Sequence, residues 1–346
     1  MHGQISNRLW GATPEANSGQ IPLAVKLSII MPVKNAKTTI ITCLQNLQGA
    51  KTAHEIIVVN DHSSDSSMQG VAAYADKIIH LTGTTGPGAA RNAGVEHAAG
   101  ETLLFIDADI YTSGSDIDKS YEEFIHSGSV CAVAGYRDNP NLAFVARNYN
   151  FYMMHKYAGK GTTTVFFTSY AMIRKERFLP FCETMMSLED AEVGQRLVTS
   201  GVQIRLFKSI TVLHLKQIGL VGLARQFWAR SHNAVLLSWV CRREQRTMHD
   251  DSVKFGTKLS LLLAPAIPLL LPFPLVALAL AVLFMVANRD YFTYILRHEG
   301  VVRTTLHILL YGFTIIFADL GIASGIGKIA RHEFLAPPKI RKTSLP

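Results

Sequence analysis

Residues 101–114, ETLLFIDADIYTSG, decide how this chain is to be read. A mostly apolar run ends in Asp107-Ala108-Asp109, and Thr112-Ser113-Gly114 then marks a turn. A buried strand that delivers two neighbouring carboxylates must offset their repulsion, roughly 4 kcal/mol at 4 Å in an effective dielectric near 20. A hard divalent cation, taking carboxylate and phosphate oxygens together, would do so. An exposed Asp-rich turn is the alternative.

The same grammar repeats upstream. LAVKLSIIMPV (23–33), HEIIVVND (54–61) and KIIHL (77–81) are short apolar, β-branched runs, each stopped by polar residues, and they predict strands. AKTTIITCLQNLQGA (36–50), MQGVAAYAD (68–76) and AARNAGVEHAAG (89–100) predict the helices between them. Strand and helix in alternation predict an α/β, Rossmann-like fold: a mostly parallel sheet with helices on both faces. Ligands of such sheets bind at the carboxyl ends of the strands. Pro32-Val33-Lys34-Asn35, Asn60-Asp61, Gly86-Pro87-Gly88 and the Asp107/Asp109 pair all follow strands, so they converge on one edge.

The glycine loop GPGAARNAG (86–94) has the strand–loop–helix order of a dinucleotide fingerprint. Its third glycine position is Arg91, and an arginine there prevents the close helix–strand packing that the motif requires. A guanidinium near a helix N-terminus instead suits a phosphate or a nucleotide base, with a surface arginine as the plainer alternative.

These residues, taken in order, resemble a known family. SIIMPVKNA, EIIVVNDHSSD, GPGAARNAG, LLFIDADI and SLEDAEVGQRLVTSG are similar to successive blocks of the family 2 glycosyltransferases, over about residues 27–215. The resemblance implies a GT-A fold and transfer from a nucleotide sugar with Mg²⁺ or Mn²⁺. By that resemblance Pro32, Val33, Asn35, Asp61, Arg91 and Asp107 bind the nucleotide, although Asn60 stands where many members have a second Asp. Asp109 would hold the metal, with Asp107 reaching the ribose or the ion. Glu189-Asp190 resembles the block whose aspartate is the general base of inverting members. Those acidic residues also suit the first turn of a helix capped by Ser187, with Glu192 as a lesser candidate base.

ARQFWARSHNAV (224–235) resembles the place where processive members carry QxxRW, but the order here is Gln226-Phe227-Trp228-Ala229-Arg230. That departure argues against polymerisation. Gln226 and Arg230 share a helical face and could meet the diphosphate or the acceptor. Alternatively the helix is interfacial, with Leu220, Leu223, Phe227 and Trp228 on lipid and Arg225 and Arg230 at headgroups. His214 in VLHL reads as a strand histidine, with a metal ligand as the alternative.

The hydrophobic fraction is 48%, and its excess lies after Leu259. Residues 259–287 hold no charge and four prolines (Pro265, Pro268, Pro272, Pro274), which predicts a kinked span or a re-entrant hairpin. A second apolar stretch runs over about 304–326, interrupted by Asp319, which at mid-membrane would cost roughly 3 kcal/mol and so should face protein or an interface. The net charge of +8 could serve nucleic acid, but the cations form no stripe. They flank the apolar segments instead (Arg242, Arg243, Arg246, Lys254 and Lys258 before; Lys328, Arg331, Lys339, Arg341 and Lys342 after), as at cytoplasmic membrane boundaries. Four scattered cysteines without a CxxC pair fit a reducing cytosol.

The expected organisation is a tail (1–24), a GT-A domain (25–215), interfacial helices (216–258), membrane segments (259–326) and a basic cytoplasmic tail (327–346). Two membrane segments are expected, with both ends and the catalytic domain cytosolic. The expected function is transfer of one sugar from a UDP- or GDP-linked donor to a lipid-linked or membrane-presented acceptor at the cytoplasmic membrane. A processive synthase subunit and a non-catalytic sugar-nucleotide binder are the alternatives.

Overall fold

A computed structural model describes residues 25–185, 187–243 and 255–331. The expected N-terminal tail, the expected basic tail beyond 331, and with them Arg246, Lys254, Lys339, Arg341 and Lys342, lie outside the described residues, whereas 327–330 continue the last helix. In chain order the elements are β1 (Leu27–Val33), α1 (Ile40–Leu47), β2 (His54–Asn60), β3 (Lys77–His80), α2 (Pro87–Glu96), β4 (Thr102–Ile106) and β5 (Ile110–Tyr111). Then come α3 (Gly114–His126), β6 (Cys131–Tyr136), α4 (Phe144–Tyr157), β7 (Thr162–Thr163), β8 (Tyr170–Arg174), α5 (Glu189–Thr199) and β9 (Ile204–His214). Four helices close the described chain: α6 (Leu220–Arg243), α7 (Phe255–Leu269), α8 (Pro274–Ala287) and α9 (Arg289–Ala330).

The sheet runs β3-β2-β1-β4-β8-β6-β9-β5, with β7 on β9. The pairs β3–β2, β2–β1 and β1–β4 are parallel, as the alternating pattern predicts. The far half differs: β8 is antiparallel to both neighbours, and β5 and β7 run antiparallel to β9. Strand order reverses between β1 and β4, which opens a crevice at their carboxyl ends.

Alternation along β1 separates two cores. Leu27, Ile29 and Met31 face α1 and α3 through Cys43, Leu44, Ile117 and Phe124. Ile30 faces the opposite layer, with Ala90 and Val95 of α2 and Val193 and Leu197 of α5. α2 lies very close to the sheet at Gly94, where an added Cβ would stand 2.4 Å from Ile30 Cγ2 and 3.3 Å from Val59 Cγ2. The close approach that Arg91 precludes at its own position is thus made one turn later.

The helix expected over 68–76 is absent. Gly70, at φ 80°, separates two 3₁₀ turns, Ser66–Met68 and Val71–Ala73. β3 is half exposed, as an edge strand should be. α3 starts at a capping box in which Ser113 Oγ accepts from Asp116 N–H and Asp116 accepts from Ser113 N–H. The stretch with the Asp pair is therefore locked at both ends, by β4 and by this cap.

The apolar C-terminal part departs most from expectation. Residues 259–287 form two short helices joined at 270–273 and packed on each other, not one continuous kinked helix. Among the described residues, α9 is the one helix long and apolar enough to cross a membrane by length and composition. Gly300, at φ 74°, breaks it. α6 packs along α9, with Leu223 buried and Phe227 edge-on to Tyr149 of α4 at 6.3 Å. Those two side chains face protein rather than lipid, while Leu220 and Trp228 remain exposed.

Candidate active site

The carboxyl ends of β1, β2 and β4, the N-terminus of α5, the end of β9 and one face of α6 enclose a cleft of about 870 Å³. Its walls include Pro32, Val33, Asn35, Asp61, Arg91, Asp107, Asp109, Glu189, Asp190, Gln226 and Arg230. Apart from Glu192, every residue singled out for the site is therefore in one place, although residues from Pro32 to Arg230 contribute.

Asp61 sits just after β2 and is 3% exposed. Its Oδ2 accepts from Lys34 Nζ at 3.2 Å and Gly86 N–H at 3.0 Å, and its Oδ1 accepts from Thr85 Oγ1. Burial alone would raise its pKa, but the bonds from Thr85, His62, Lys34 and Gly86 together hold it below the ordinary carboxylate range. Asp61 is thus a fixed anion beside the glycine loop. Lys34, Thr85 and Gly86 were not assigned to this carboxylate from sequence. Asn35 and His62 flank it in left-handed conformations, each at φ 53°.

Arg91 is buried beneath the cleft. Its Nη1 donates to Glu189 Oε1 at 2.7 Å and its Nη2 to Asp107 Oδ1 at 2.8 Å, with Phe181 under the guanidinium at 5.5 Å. The two terminal nitrogens are committed to carboxylates, so Arg91 joins the Asp pair to the Glu-Asp block. Burial works against its charge, but Asp107 and Glu189 outweigh that and raise its pKa. Burial also lifts the Glu189 carboxyl above its usual range, with Arg91 opposing and Asp190 adding.

Asp190 opens α5, and its Oδ1 accepts from Ala191 N–H at 2.8 Å. Ser187 does not cap this helix. The N-cap is Leu188 at φ 65°, and Ser187 Oγ instead accepts from Asn233 Nδ2 of α6 at 2.7 Å. A leucine in the left-handed region is strained, and here it sets the direction in which Glu189 and Asp190 leave the backbone. Glu192, the lesser candidate base, is fully buried and held by Arg196 at 2.8 Å, outside the cleft wall.

Asp109 comes within 3.7 Å of His214 Nε2, because β5 pairs with the end of β9 and Leu215 N–H donates to Asp109 O at 2.8 Å. The strand-histidine reading is correct for the backbone of His214, but its ring faces the carboxylate. No spacing in the sequence announces this, because the pairing is antiparallel and long-range. Among the described residues no three acidic, His or Cys side chains form a ready cage for a metal. Two donors each roughly 2.1 Å from one ion can stand up to ~4.2 Å apart. The Asp109–His214 separation thus fits a cation whose remaining ligands come from a bound molecule.

Arg230 of α6 is half-buried on the opposite wall, which corrects its placement at lipid headgroups. Tyr149 is the main influence raising its pKa; burial opposes and Asp190 adds. A fixed cation facing the carboxylates would receive a phosphate or steady an anion formed during reaction.

Residues 28–179 match the family model described as "Glycosyl transferase family 2". An uncharacterized glycosyltransferase of Escherichia coli, YibD, is 39% identical over 89 residues, 24% of this chain and 26% of the relative. A poly(ribitol-phosphate) beta-glucosyltransferase of Bacillus spizizenii is 36% identical over 106 residues, 28% of this chain and 17% of the relative. The chain thus matches about a quarter or less of the length of these relatives. Among solved structures, the mannosyltransferase PcManGT from Pyrobaculum calidifontis, in complex with GDP-Man and Mn²⁺, superposes with a TM-score of 0.56 at 14% identity, covering 87% of each chain. That likeness, with the sheet order above, makes the fold GT-A, a mixed α/β sheet with helices on both faces. Over residues 28–179 this chain is thus similar to the glycosyl transferase family 2 proteins.

Proposed function

We propose that the chain is a membrane-associated inverting glycosyltransferase that moves one sugar from a UDP- or GDP-linked donor to a lipid-linked or membrane-presented acceptor. The observation that carries this is the convergence of Asp61, the Asp107/Asp109 pair, Glu189-Asp190 and Arg230 on one cleft at the strand ends. Mg²⁺ or Mn²⁺ fits the donor set of Asp109, His214 and Asp107, and would neutralise the departing diphosphate. PcManGT, of the same fold, is complexed with GDP-Man and Mn²⁺, which supports the same class of ligand here.

In this reading Pro32, Val33, Asn35 and Asp61 hold the nucleoside, and Arg91 acts from below by fixing Asp107 and Glu189. Asp190 takes the proton from the acceptor hydroxyl, a role for which it must come within hydrogen-bond reach of that hydroxyl. Gln226 and Arg230 contact the diphosphate or an acceptor phosphate. Nucleotide sugars are cytosolic, so the domain belongs on the cytosolic side of the cytoplasmic membrane. The apolar surface of α7–α9 supports a membrane acceptor.

The test is transfer from radiolabelled nucleotide sugars into organic-extractable product with added Mn²⁺. Folded protein that transfers from no donor, and whose apparent stability no nucleoside diphosphate raises, would overturn the reading. Saturation at about 100 times Kd should stabilise by ~2.7 kcal/mol.

A further inference from the structure

The hairpin α7–α8 is built for hydrocarbon but too short to cross it. Its helices, of 15 and 14 residues, are about 22 and 21 Å long, against a hydrocarbon core of ~30 Å. Its turn, 270–273, reads Leu-Leu-Pro-Phe, where a turn in water carries Gly, Asn, Asp or Ser. Leu269, Leu271, Phe273 and Leu275 are 77, 65, 62 and 80% exposed around it.

The turn also satisfies its own backbone donors. Leu270 N–H donates to Ala266 O at 3.1 Å, Leu271 N–H to Pro268 O at 3.5 Å and Phe273 N–H to Leu270 O at 2.9 Å. Pro272 and Pro274 have no N–H to satisfy. Every unmet backbone donor would add to the cost of entering lipid, so the turn lowers that cost, and the prolines, which have no donor to meet, gain a purpose. Among the described residues charge returns only at the base, where Lys258 stands in the first turn of α7 and Arg289 and Asp290, each nearly 80% exposed, follow α8. There Asn288 Nδ2 donates to Ser260 Oγ at 2.6 Å.

α9 does not leave the catalytic domain. Glu299 pairs with Arg147 of α4, and Asn148 of α4 bonds the His307 ring at 2.6 Å. Gly321 lies on the backbone of Trp228, where an added Cβ would stand 2.3 Å from the carbonyl oxygen, and Ser324 bonds His232 at 3.2 Å. From 301, just past the break at Gly300, to 324 the helix travels about 35 Å, more than a bilayer core, while remaining against α4 and α6, which line the cleft. Thr304, His307, Tyr311, Thr314, Ala318 and Gly321 form the buried seam at alternating spacings of three and four. Val301, Val302, Leu309 and Leu320 stay exposed away from it.

We propose that the chain attaches monotopically: α7–α8 enters one leaflet as a re-entrant hairpin with turn 270–273 in hydrocarbon, α9 lies along the interface, and no described segment crosses the bilayer. This replaces the expected pair of membrane segments and rests on the membrane contact proposed above. The acceptor is then drawn from the same leaflet that the hairpin enters.

Single cysteines at Leu271, Asp290 and Arg331, in the full chain, test it with a membrane-impermeant maleimide on sealed vesicles of either orientation. The four native cysteines are buried and give little background. Leu271→Cys should label about tenfold less than in detergent from both sides. Asp290→Cys and Arg331→Cys should label from the cytosolic face alone. Labelling of Leu271→Cys from the outer face (a span) or from the cytosolic face (no insertion) would overturn the proposal. So would labelling of Arg331→Cys from the face opposite to Asp290→Cys. Nucleotide binding by each variant reports folding, and transfer activity, measured separately, tells failure of the topology from failure of the enzymatic reading.

Discussion

Replacing Arg91 by methionine tests the core of the site, because it removes the cation that joins Asp107 to Glu189 while keeping an unbranched stem. Asp107 is a third exposed and can turn to water, but the Glu189 side chain is 8% exposed and cannot. Breaking a buried pair from one side typically costs about 3–5 kcal/mol. Protonation of Glu189 sets a ceiling on that cost. Taking a carboxyl of ordinary pKa ~4.3 to its neutral form at pH 7 costs about 2.7 units of 1.36 kcal/mol each, or ~3.7 kcal/mol. Burial already raises the Glu189 pKa, and loss of Arg91 raises it further. A group whose pKa is higher folded than unfolded stabilises below its unfolded pKa and loses that contribution as pH rises towards its folded pKa. The variant's deficit should therefore approach but not exceed ~3.7 kcal/mol at pH 7 and shrink to about 1 kcal/mol at pH 5. Urea unfolding in detergent at pH 5, 6 and 7, followed by tryptophan fluorescence, measures it. A deficit under ~1 kcal/mol that does not change with pH would refute the claim that Arg91 carries a buried carboxylate.

Asp190→Asn should lower kcat by about 10²–10⁴-fold with nucleotide affinity unchanged, as loss of a general base does; isothermal titration beside initial rates separates the two. Asp109→Asn and His214→Ala should each weaken Mn²⁺-dependent nucleotide binding, and the double variant should add little to either, because both side chains would serve one ion; equal Mn²⁺ dependence in wild type and variants would exclude the site. Gly94→Ala forces a methyl group against Ile30 and should cost about 1–3 kcal/mol by overpacking, read as a lowered urea midpoint. Asp61, whose pKa is depressed, contributes stability above the unfolded value that is lost as pH falls through the folded one. Asp61→Asn should be less stable than wild type at pH 7 and lose less on acidification to pH 3.

What the sequence disclosed depended on the range of the physics involved. The strands β1, β2 and β4 are dense apolar runs closed by polar residues, and their parallel pairing follows from the helices between them, so the edge that gathers Asp61, Asp107 and Asp109 was legible. Local chemistry also located the Glu-Asp block at a helix start. The antiparallel half of the sheet is different. That β5 meets the far end of β9, and so sets His214 beside Asp109, is decided by pairing between strands about a hundred residues apart, and no local pattern records it. Leu188 in the left-handed region was equally hidden, since sequence would assign that conformation to glycine or asparagine and the cap to Ser187.

The C-terminal part was less legible for a separate reason. Hydropathy measures how much a segment avoids water, and it carries no information about what covers the segment instead. Residues 259–287 and 304–326 are both apolar on that measure, yet one is a self-paired hairpin with a bare apolar turn and the other lies along α6. The distinguishing signal was present in a different form, as small or hydrogen-bonding residues at alternating spacings of three and four: Thr304, His307, Tyr311, Thr314, Ala318, Gly321 and Gly325. A helix that meets lipid all round has no use for such a stripe, whereas one that packs on a neighbour needs it for close approach. Periodicity of small and polar residues, more than mean hydropathy, separates a helix that crosses a bilayer alone from one laid against a catalytic domain. Substituting Gly321 by leucine distinguishes the two: it should detach α9 from Trp228 and lower the stability of the cleft wall carrying Arg230, whereas a free-standing span would tolerate it.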